Sequence, residues 1–198
     1  GHNGLVCASL LAKAGKKVLV LEANSQVGGA AVTRSFAEGY SVSSVAHLLY
    51  QLQPRVRNEL GLNIEMAATD MGTVALSADG KHVRISGNDV SGVSEDDAAA
   101  YRAFHKRMTR FADLLKTFLN KTPPRLAKDA SKADLLTLAQ LGFDIRRLGR
   151  VEMQEFLRLI GMNIRDELVE RFESKLLRGA LSLDAVMGTH LGPRSPNS

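Results

Sequence analysis

The order of elements between Gly1 and Gly29 constrains the fold of this chain more than any other feature. Gly1 and Gly4 open an apolar stretch of helical length, which ends at Gly15. Four consecutive apolar residues follow at 18–21, and Glu22 closes that run. A short, wholly apolar run is typical of a strand that is buried on both faces of a parallel sheet. The sequence therefore predicts an α/β fold.

The same residues have the spacing of a dinucleotide-binding βαβ unit. In such a unit, glycines at the helix start let backbone N–H groups approach a pyrophosphate, and an acid about 20 residues later binds ribose hydroxyls. Gly1 and Gly4 fit the first role and Glu22 fits the second. Taken alone, Gly1 and Gly4 are explained more simply as a chance glycine pair, and Glu22 as a surface residue at the end of a strand.

The usual G-x-G-x-x-G motif would begin two residues before Gly1 and would follow a strand. We therefore expect a partial Rossmann-like βαβ unit that lacks its first strand, in an N-terminal fragment of a larger protein. The turn-like stretch at 191–198 favours the same interpretation. We also expect an exposed sheet edge, which favours self-association.

A glycine pair follows the acid and adds a third constraint. Gly28 and Gly29 come six and seven residues after Glu22. Two glycines let the backbone pass close to a ligand, here the diphosphate and the flavin side of a dinucleotide. Together, the three features favour a dinucleotide site over three unrelated coincidences.

Composition excludes several classes of protein. The hydrophobic content of 44% and charged content of 24% indicate a globular protein with one large or two small domains. A net charge of +5 without a nucleic-acid-binding module argues against nucleic acid as a partner. Cys7 is the single cysteine, so an internal disulfide or C-x-x-C centre is excluded. We expect Cys7 on the apolar side of the first helix, as a small residue of the protein core. We also expect a reducing compartment: the cytoplasm of a bacterium, or a mitochondrion in a eukaryote.

Between the opening unit and the later helices, the pattern predicts a loop-rich stretch, a short helix and a hairpin. The helix begins at Pro54 and ends at Leu60, and the domain boundary is expected at 53/54, giving domains 1–53 and 54–198. The hairpin turns at Asp79-Gly80. One buried face of that hairpin is expected to carry four side chains: Val74, Leu76, Val83 and Ile85.

From Ser94 onward the pattern is helical. Ser94 precedes three acids, as at a capped helix start, and one apolar stripe follows with steps of three and four residues. The stripe consists of Tyr101, Phe104, Met108, Phe111, Leu115 and Phe118. We expect four shorter helices at about 134–141, 151–160, 164–172 and 174–187, with Gly142 and Gly161 as helix ends.

Several motifs resemble one family of flavoproteins. The segments 2–5, 18–22 and 27–30 are similar to the FAD-binding opening of the phytoene desaturase and amine oxidase group, in particular its phytoene dehydrogenase-like branch. Members of that branch also carry stretches like 46–48 and 188–193. The resemblance runs the whole length of the chain.

The resemblance implies an FAD-dependent oxidoreductase of two domains, the second being a hairpin and a mainly helical substrate or cap region. It implies cofactor-binding roles for six residues: Gly1, Asn3 and Gly4 at the pyrophosphate, Glu22 at the adenosine ribose, and Gly28 and Gly29 along the phosphate-ribityl stretch. The flavin would accept a hydride from an apolar or amine-bearing small molecule. No metal site is expected, and the catalytic residues stay unknown, with His47 and His190 as the only candidates. A lone histidine is more often packed or hydrogen-bonded than catalytic.

Other functions stay open on the sequence alone. A flavin-dependent amine or amino-acid oxidase is the nearest alternative, and NAD could replace FAD. A dinucleotide-binding interaction protein without turnover is the alternative outside enzymes. The helical stripe is either a substrate tunnel or, more simply, ordinary core. Basic residues on the helices (Arg102, Lys106, Arg107, Arg110, Arg146, Arg147 and Arg150) allow contact with an anionic membrane surface, although solvated helix faces are commoner. The sequence does not specify an oligomeric state.

Overall fold

The computed structural model of the 198-residue chain describes residues 1–46, 48–49, 52–127, 129–187, 189–196 and 198. The chain is an α/β protein that forms two compact units, Gly1–Ala67 and Ala68–Ser198. The expected boundary at 53/54 precedes the helix Pro54–Leu60, which the structure includes in the first unit. One cause is a hydrogen bond in which the Lys13 ammonium donates to the backbone carbonyl of Glu59.

Among its described residues, the first unit has two α-helices and one hairpin. Its elements are α1 (His2–Lys13), a 3₁₀ turn (Gly29–Ala31), β1 (Thr33–Ala37), β2 (Tyr40–Ser43) and α2 (Pro54–Leu60). The helix α2 confirms the prediction: Pro54 occupies its start, and Gly61 ends it with a left-handed φ of 65°. The antiparallel pair β1 and β2, with Thr33 opposite Ser43, lies in a stretch that the sequence pattern assigns to a loop.

The expected strand at 18–21 is not formed, so that prediction is wrong for this chain. Leu19 and Leu21 are 82% and 85% exposed. A strand exists only where its N–H and C=O groups pair with a neighbouring strand, and no described residue pairs with this segment. Of the expected βαβ unit, the described residues thus form the helix but not the strand at 18–21. Cys7 also differs from expectation, because its side chain on α1 is exposed instead of packed in a core.

The second unit combines a three-stranded antiparallel sheet with five helices among its described residues. Its elements are β3 (Thr73–Ala75), β4 (Val83–Ser86), β5 (Asp89–Ser91), α3 (Glu95–Lys116), α4 (Lys132–Arg147), α5 (Arg150–Gly161), α6 (Ile164–Arg171) and α7 (Lys175–Val186). The sheet has the order β3-β4-β5. The hairpin of β3 and β4 confirms the prediction, and β5 extends it by a strand that the sequence did not indicate.

The register of this hairpin differs from the predicted one. Ala75 lies opposite Val83 and Thr73 opposite Ile85, so these four side chains share a face. Val83 is 1% exposed, whereas Val74 is 43% exposed and on the other face. The predicted buried face is therefore wrong for β3 and right for β4.

The cause lies in the loop between the strands. A two-residue Asp79-Gly80 turn would pair Val74 with Ile85. Instead, the Asp79 carboxylate accepts hydrogen bonds from the Ser77 hydroxyl (2.6 Å) and the Lys81 N–H (3.0 Å), which makes a wider loop. That loop shifts the pairing by one residue, and a shift of one residue moves every side chain of a strand to the opposite face.

The five helices confirm the helical prediction, with changes at their ends. The Ser94 hydroxyl accepts from the Asp97 N–H at the start of α3, as the pattern predicts. Gly142 lies inside α4 and does not end it, because partly buried residues continue beyond it at helical spacing: Asp144, Ile145 and Leu148. Gly161 is the last residue of α5.

The core of the second unit explains the apolar stripe of α3. Tyr101, Phe104 and Phe111 are buried, and Phe104 packs edge-to-face on Phe172 at 5.6 Å between ring centroids. The main cluster consists of Val83, Val90, Ala98, Tyr101, Phe104, Leu168, Phe172 and Leu177. The described structure thus uses the stripe as core, the simpler of the two interpretations. Among the described residues, none of the helices combines the length and apolarity that a membrane crossing requires.

Candidate dinucleotide-binding site

The start of α1 presents uncapped backbone N–H groups. Gly1 precedes the helix and no side chain caps it, and the first turn contains no acid. The first bond along the helix runs from the Leu5 N–H to the Gly1 carbonyl, at 3.3 Å. The N–H groups of His2, Asn3 and Gly4 therefore have no acceptor within the helix. Together with the helix dipole, these three groups can bind an anion such as a phosphate.

The second glycine segment lies directly against this helix start. Gly29 has a left-handed φ of 60°, and a Cβ atom there would lie 2.9 Å from the Gly1 Cα and 3.3 Å from the Gly1 nitrogen. A real Cβ atom would not fit without moving the turn. The structure therefore brings Gly1 and Gly29 into backbone contact although the two glycines are far apart in the sequence.

Gly28 adds a second steric requirement to the same turn. Its φ is 134°, a conformation that other residues avoid, and a Cβ there would lie 2.8 Å from the Val32 Cγ2 atom. The turn continues as the 3₁₀ segment Gly29–Ala31. Gly28 is thus needed for the shape of the turn, and Gly29 for its close approach to the start of α1.

Asn24 holds the Glu22 carboxylate by two hydrogen bonds. Hydrogen bonds from the Asn24 backbone N–H and side-chain amide, each 3.0 Å long, lower the pKa of Glu22 below its ordinary value. Both bonds from Asn24 end on Oε1, so within the described residues Oε2 is free to accept a bond from a ligand hydroxyl.

Asn24 was not singled out from the sequence. An asparagine two residues after an acid commonly closes a local turn through its side chain. That spacing was the available signal. In the structure Asn24 holds the Glu22 carboxylate in place and favours its charged form.

Gly4 has no steric role in the described structure. A Cβ at position 4 would meet nothing within 4 Å. Asn3 is exposed on the same turn. The cofactor-binding roles of these two residues stay predictions that rest on their backbone N–H groups.

The roles considered for the two histidines stay predictions. His47 falls outside the described residues, and His190 is exposed in the second unit, after α7. Among the described residues no group of three or more His, Cys, Asp or Glu side chains could hold a metal ion.

Several of the basic residues considered for membrane contact have acceptors within the second unit. Arg102 lies 3.8 Å from the Asp89 carboxylate, and Arg107 lies 3.6 Å from Glu152. The Arg110 guanidinium donates to the Leu148 carbonyl at 3.2 Å. These contacts give three of the cations a structural role.

Comparison with known proteins agrees with a nucleotide-binding opening. Residues 1–60 match the family described as NAD(P)-binding Rossmann-like domain. Over its whole length the chain is 27% identical to mouse and 28% identical to rat pyridine nucleotide-disulfide oxidoreductase domain-containing protein 2, and it covers 38% of each. Over 57% of its length it is 28% identical to a limonene dehydrogenase subunit of Castellaniella defragrans, covering 22% of that protein.

The chain spans a little over a third of the mammalian relatives that it matches. No solved structure matches it. The segment 1–60 is therefore similar to NAD(P)-binding Rossmann-like domains, and the whole chain is distantly related to a protein with an oxidoreductase domain.

Proposed function

We propose that this chain is part of an FAD-dependent oxidoreductase of the phytoene dehydrogenase-like type. The flavin would take a hydride from an apolar or amine-bearing small molecule. One observation carries the proposal: the Gly28-Gly29 turn lies against the uncapped start of α1, where backbone N–H groups can receive a diphosphate. The residues at this helix start fit a dinucleotide, because they offer N–H donors and no competing acid in the first helical turn. Glu22, in the same unit, has a carboxylate oxygen free to accept among the described residues.

Different residues would bind different parts of the cofactor. The N–H groups of His2, Asn3 and Gly4 would bind the diphosphate, and the glycine turn would let it lie close to the backbone. The free Oε2 of Glu22 would accept from the adenosine ribose. A carboxylate at that position favours a free ribose 2′-hydroxyl over a 2′-phosphate. FAD and NAD meet that requirement and NADP does not.

NAD is the second candidate for the cofactor. The description of the matching family, NAD(P)-binding Rossmann-like domain, favours it. The glycine pair after Glu22 and the resemblance to flavoproteins favour FAD. Identification of the bound nucleotide separates the two.

The first experiment is to purify the protein from its own cells, denature it and identify the released nucleotide by mass spectrometry. We expect FAD, and the purified protein to be yellow. Release of NAD would keep the oxidoreductase class and change the cofactor. A colourless protein that releases no nucleotide and takes up neither added FAD nor NAD would overturn the proposal and favour the interaction protein without turnover.

The substrate class needs a second experiment. The name of one relative, a limonene dehydrogenase subunit, supports an apolar substrate. Anaerobic mixing with a panel of terpenes and other apolar molecules should bleach the flavin absorbance. Bleaching by amines or amino acids, with peroxide release in air, would instead show the oxidase alternative.

A further inference from the structure

A small cleft between α6 and α7 gathers positive charge in the second unit. Its volume is about 220 Å³, and Arg165, Lys175 and Arg178 lie along it. Val169 supplies an exposed apolar side chain, and Ser182 completes the lining. In the part of the chain that the structure describes, no carboxylate side chain lines this cleft.

Ion pairs within the chain neutralise little of this positive charge. Arg165 lies 3.2 Å from the Asp166 carboxylate, but both side chains are about half exposed, at 46% and 51%. Such surface pairs contribute little to stability. Lys175 and Arg178 have no carboxylate within 4.0 Å among the described residues. Three cations thus line one cleft, and among the described residues only Arg165 has an ion pair, which is weak.

The placement of two of these cations is unfavourable for the helix that carries them. Lys175 and Arg178 lie in the first turn of α7, which contains no acid. Cations are destabilising at the positive end of a helix dipole. The buried Asp97 carboxylate offsets part of this cost, since it accepts from the Glu173 and Ser174 N–H groups at 2.8 Å each. A stability argument therefore does not explain why both cations point into the same cleft.

We propose that this cleft binds the phosphate group of a small molecule. Arginine guanidinium groups present planar pairs of donors that match phosphate oxygens, and a lysine adds a compact positive charge. A dianion would relieve the repulsion among Arg165, Lys175 and Arg178. The exposed side chain of Val169 offers an apolar contact for a short hydrocarbon portion next to the phosphate.

The test uses the 198-residue chain and inorganic phosphate as the probe, titrated by calorimetry at constant ionic strength with sodium chloride as the balancing salt. We expect one saturable site. Arg178→Gln and, separately, Lys175→Gln should each weaken phosphate binding about tenfold, because each removes one of three cations. Two variants are used so that a folding defect in one leaves the other informative.

Arg125→Gln is the matched control. Arg125 belongs to the same unit and pairs with Asp129 at the surface, with both side chains more than 70% exposed, and it does not line the cleft. This variant loses the same charge and should bind phosphate like the unaltered chain. Absence of saturable binding, unchanged binding in both cleft variants, or an equal loss in the Arg125 variant would each overturn the proposal.

Discussion

At the scale of single residues, Gly29 has the strictest requirements in the candidate site. Its left-handed backbone and its contact with Gly1 exclude a side chain for two separate reasons. Gly15 supplies a comparison within the same unit, since its φ of 75° is similar but a Cβ there would meet nothing within 4 Å. The two glycines therefore separate backbone strain from the close approach.

We predict that Gly29→Ala weakens FAD binding about tenfold, whereas Gly15→Ala leaves it unchanged. Both substitutions carry the cost of a left-handed non-glycine residue, about 1 kcal/mol. Only the Gly29 substitution also forces the turn away from the start of α1, where the diphosphate would bind. Titration of flavin fluorescence with each variant measures the difference. Equal affinities for the two variants would refute the steric role of the turn.

Glu22 gives a prediction about pH. Its pKa is lowered by the two bonds from Asn24, so the carboxylate stays charged until the pH falls below the ordinary glutamate value of about 4.3. Affinity for FAD that depends on this charge should be constant from neutral pH down to that value and should fall only below it. Asn24→Ala removes the side-chain bond and keeps the backbone N–H bond, so the fall should begin at a slightly higher pH.

The matched variant is Glu22→Gln. It should bind FAD severalfold more weakly at neutral pH and lose the acid-side decline, because no charge is left to titrate. An unaltered pH profile in this variant would assign the decline to another group.

The residues of the site show what spacing can and cannot predict. The positions of Gly1, Glu22, Gly28 and Gly29 follow from motif spacing, because a backbone path close to a ligand demands glycine at fixed offsets. Asn24 was not predicted, because it contributes a local bond to the Glu22 carboxylate and occupies no motif position. The contact of Gly29 with Gly1 required coordinates, because a sequence gives no distance between positions that are far apart along it.

At the scale of elements, local signals were reliable and pairing was not. Ser94, Ser131 and Ser174 begin their helices as N-caps that accept a backbone bond three residues on, and such signals lie within four residues of sequence. Strand pairing depends on partners elsewhere. The apolar run at 18–21 has the composition of a strand but no neighbour among the described residues, and the β3–β4 register depended on how one loop closed.

Asp97 connects two elements that are far apart in sequence. Its buried carboxylate, 4% exposed, on the first turn of α3 accepts from the N–H groups of Glu173 and Ser174 before α7. We predict that Asp97→Asn destabilises the chain by about 2 kcal/mol, because an amide nitrogen replaces one acceptor and faces a donor. Urea unfolding followed by circular dichroism measures this loss.

The control for Asp97 is its neighbour. Asp96 lies in the same first turn of α3 and is exposed, so Asp96→Asn removes an equal charge from the helix start without affecting the link to α7. We expect this variant to lose under about 0.5 kcal/mol, as is usual for exposed positions. A comparable loss in both variants would assign the effect to the helix dipole and not to the bonds from Glu173 and Ser174.

At the scale of the whole molecule, the hydrophobic core is unevenly distributed. Every buried apolar side chain among the described residues, from Val83 to Leu177, belongs to the second unit. In the first unit, large apolar side chains such as Leu19, Leu21 and Phe36 are exposed. Burial of apolar surface is the main source of folding free energy. The two units should therefore differ widely in local stability.

We predict that native-state hydrogen exchange of the 198-residue chain separates the units. Amides of α3, α7 and β4 should exchange only through global unfolding, whereas those of α1, β1 and β2 should exchange through local opening at a much lower free energy. Saturating FAD should slow exchange in α1 and around Gly29, because a ligand that binds only the folded form stabilises that form, and should leave α3 unchanged. If the amides of α1 were protected from exchange as strongly as those of α3 without any ligand, the uneven distribution of the core would be contradicted. If FAD slowed amide exchange in α3 instead of α1, the nucleotide would bind in the second unit.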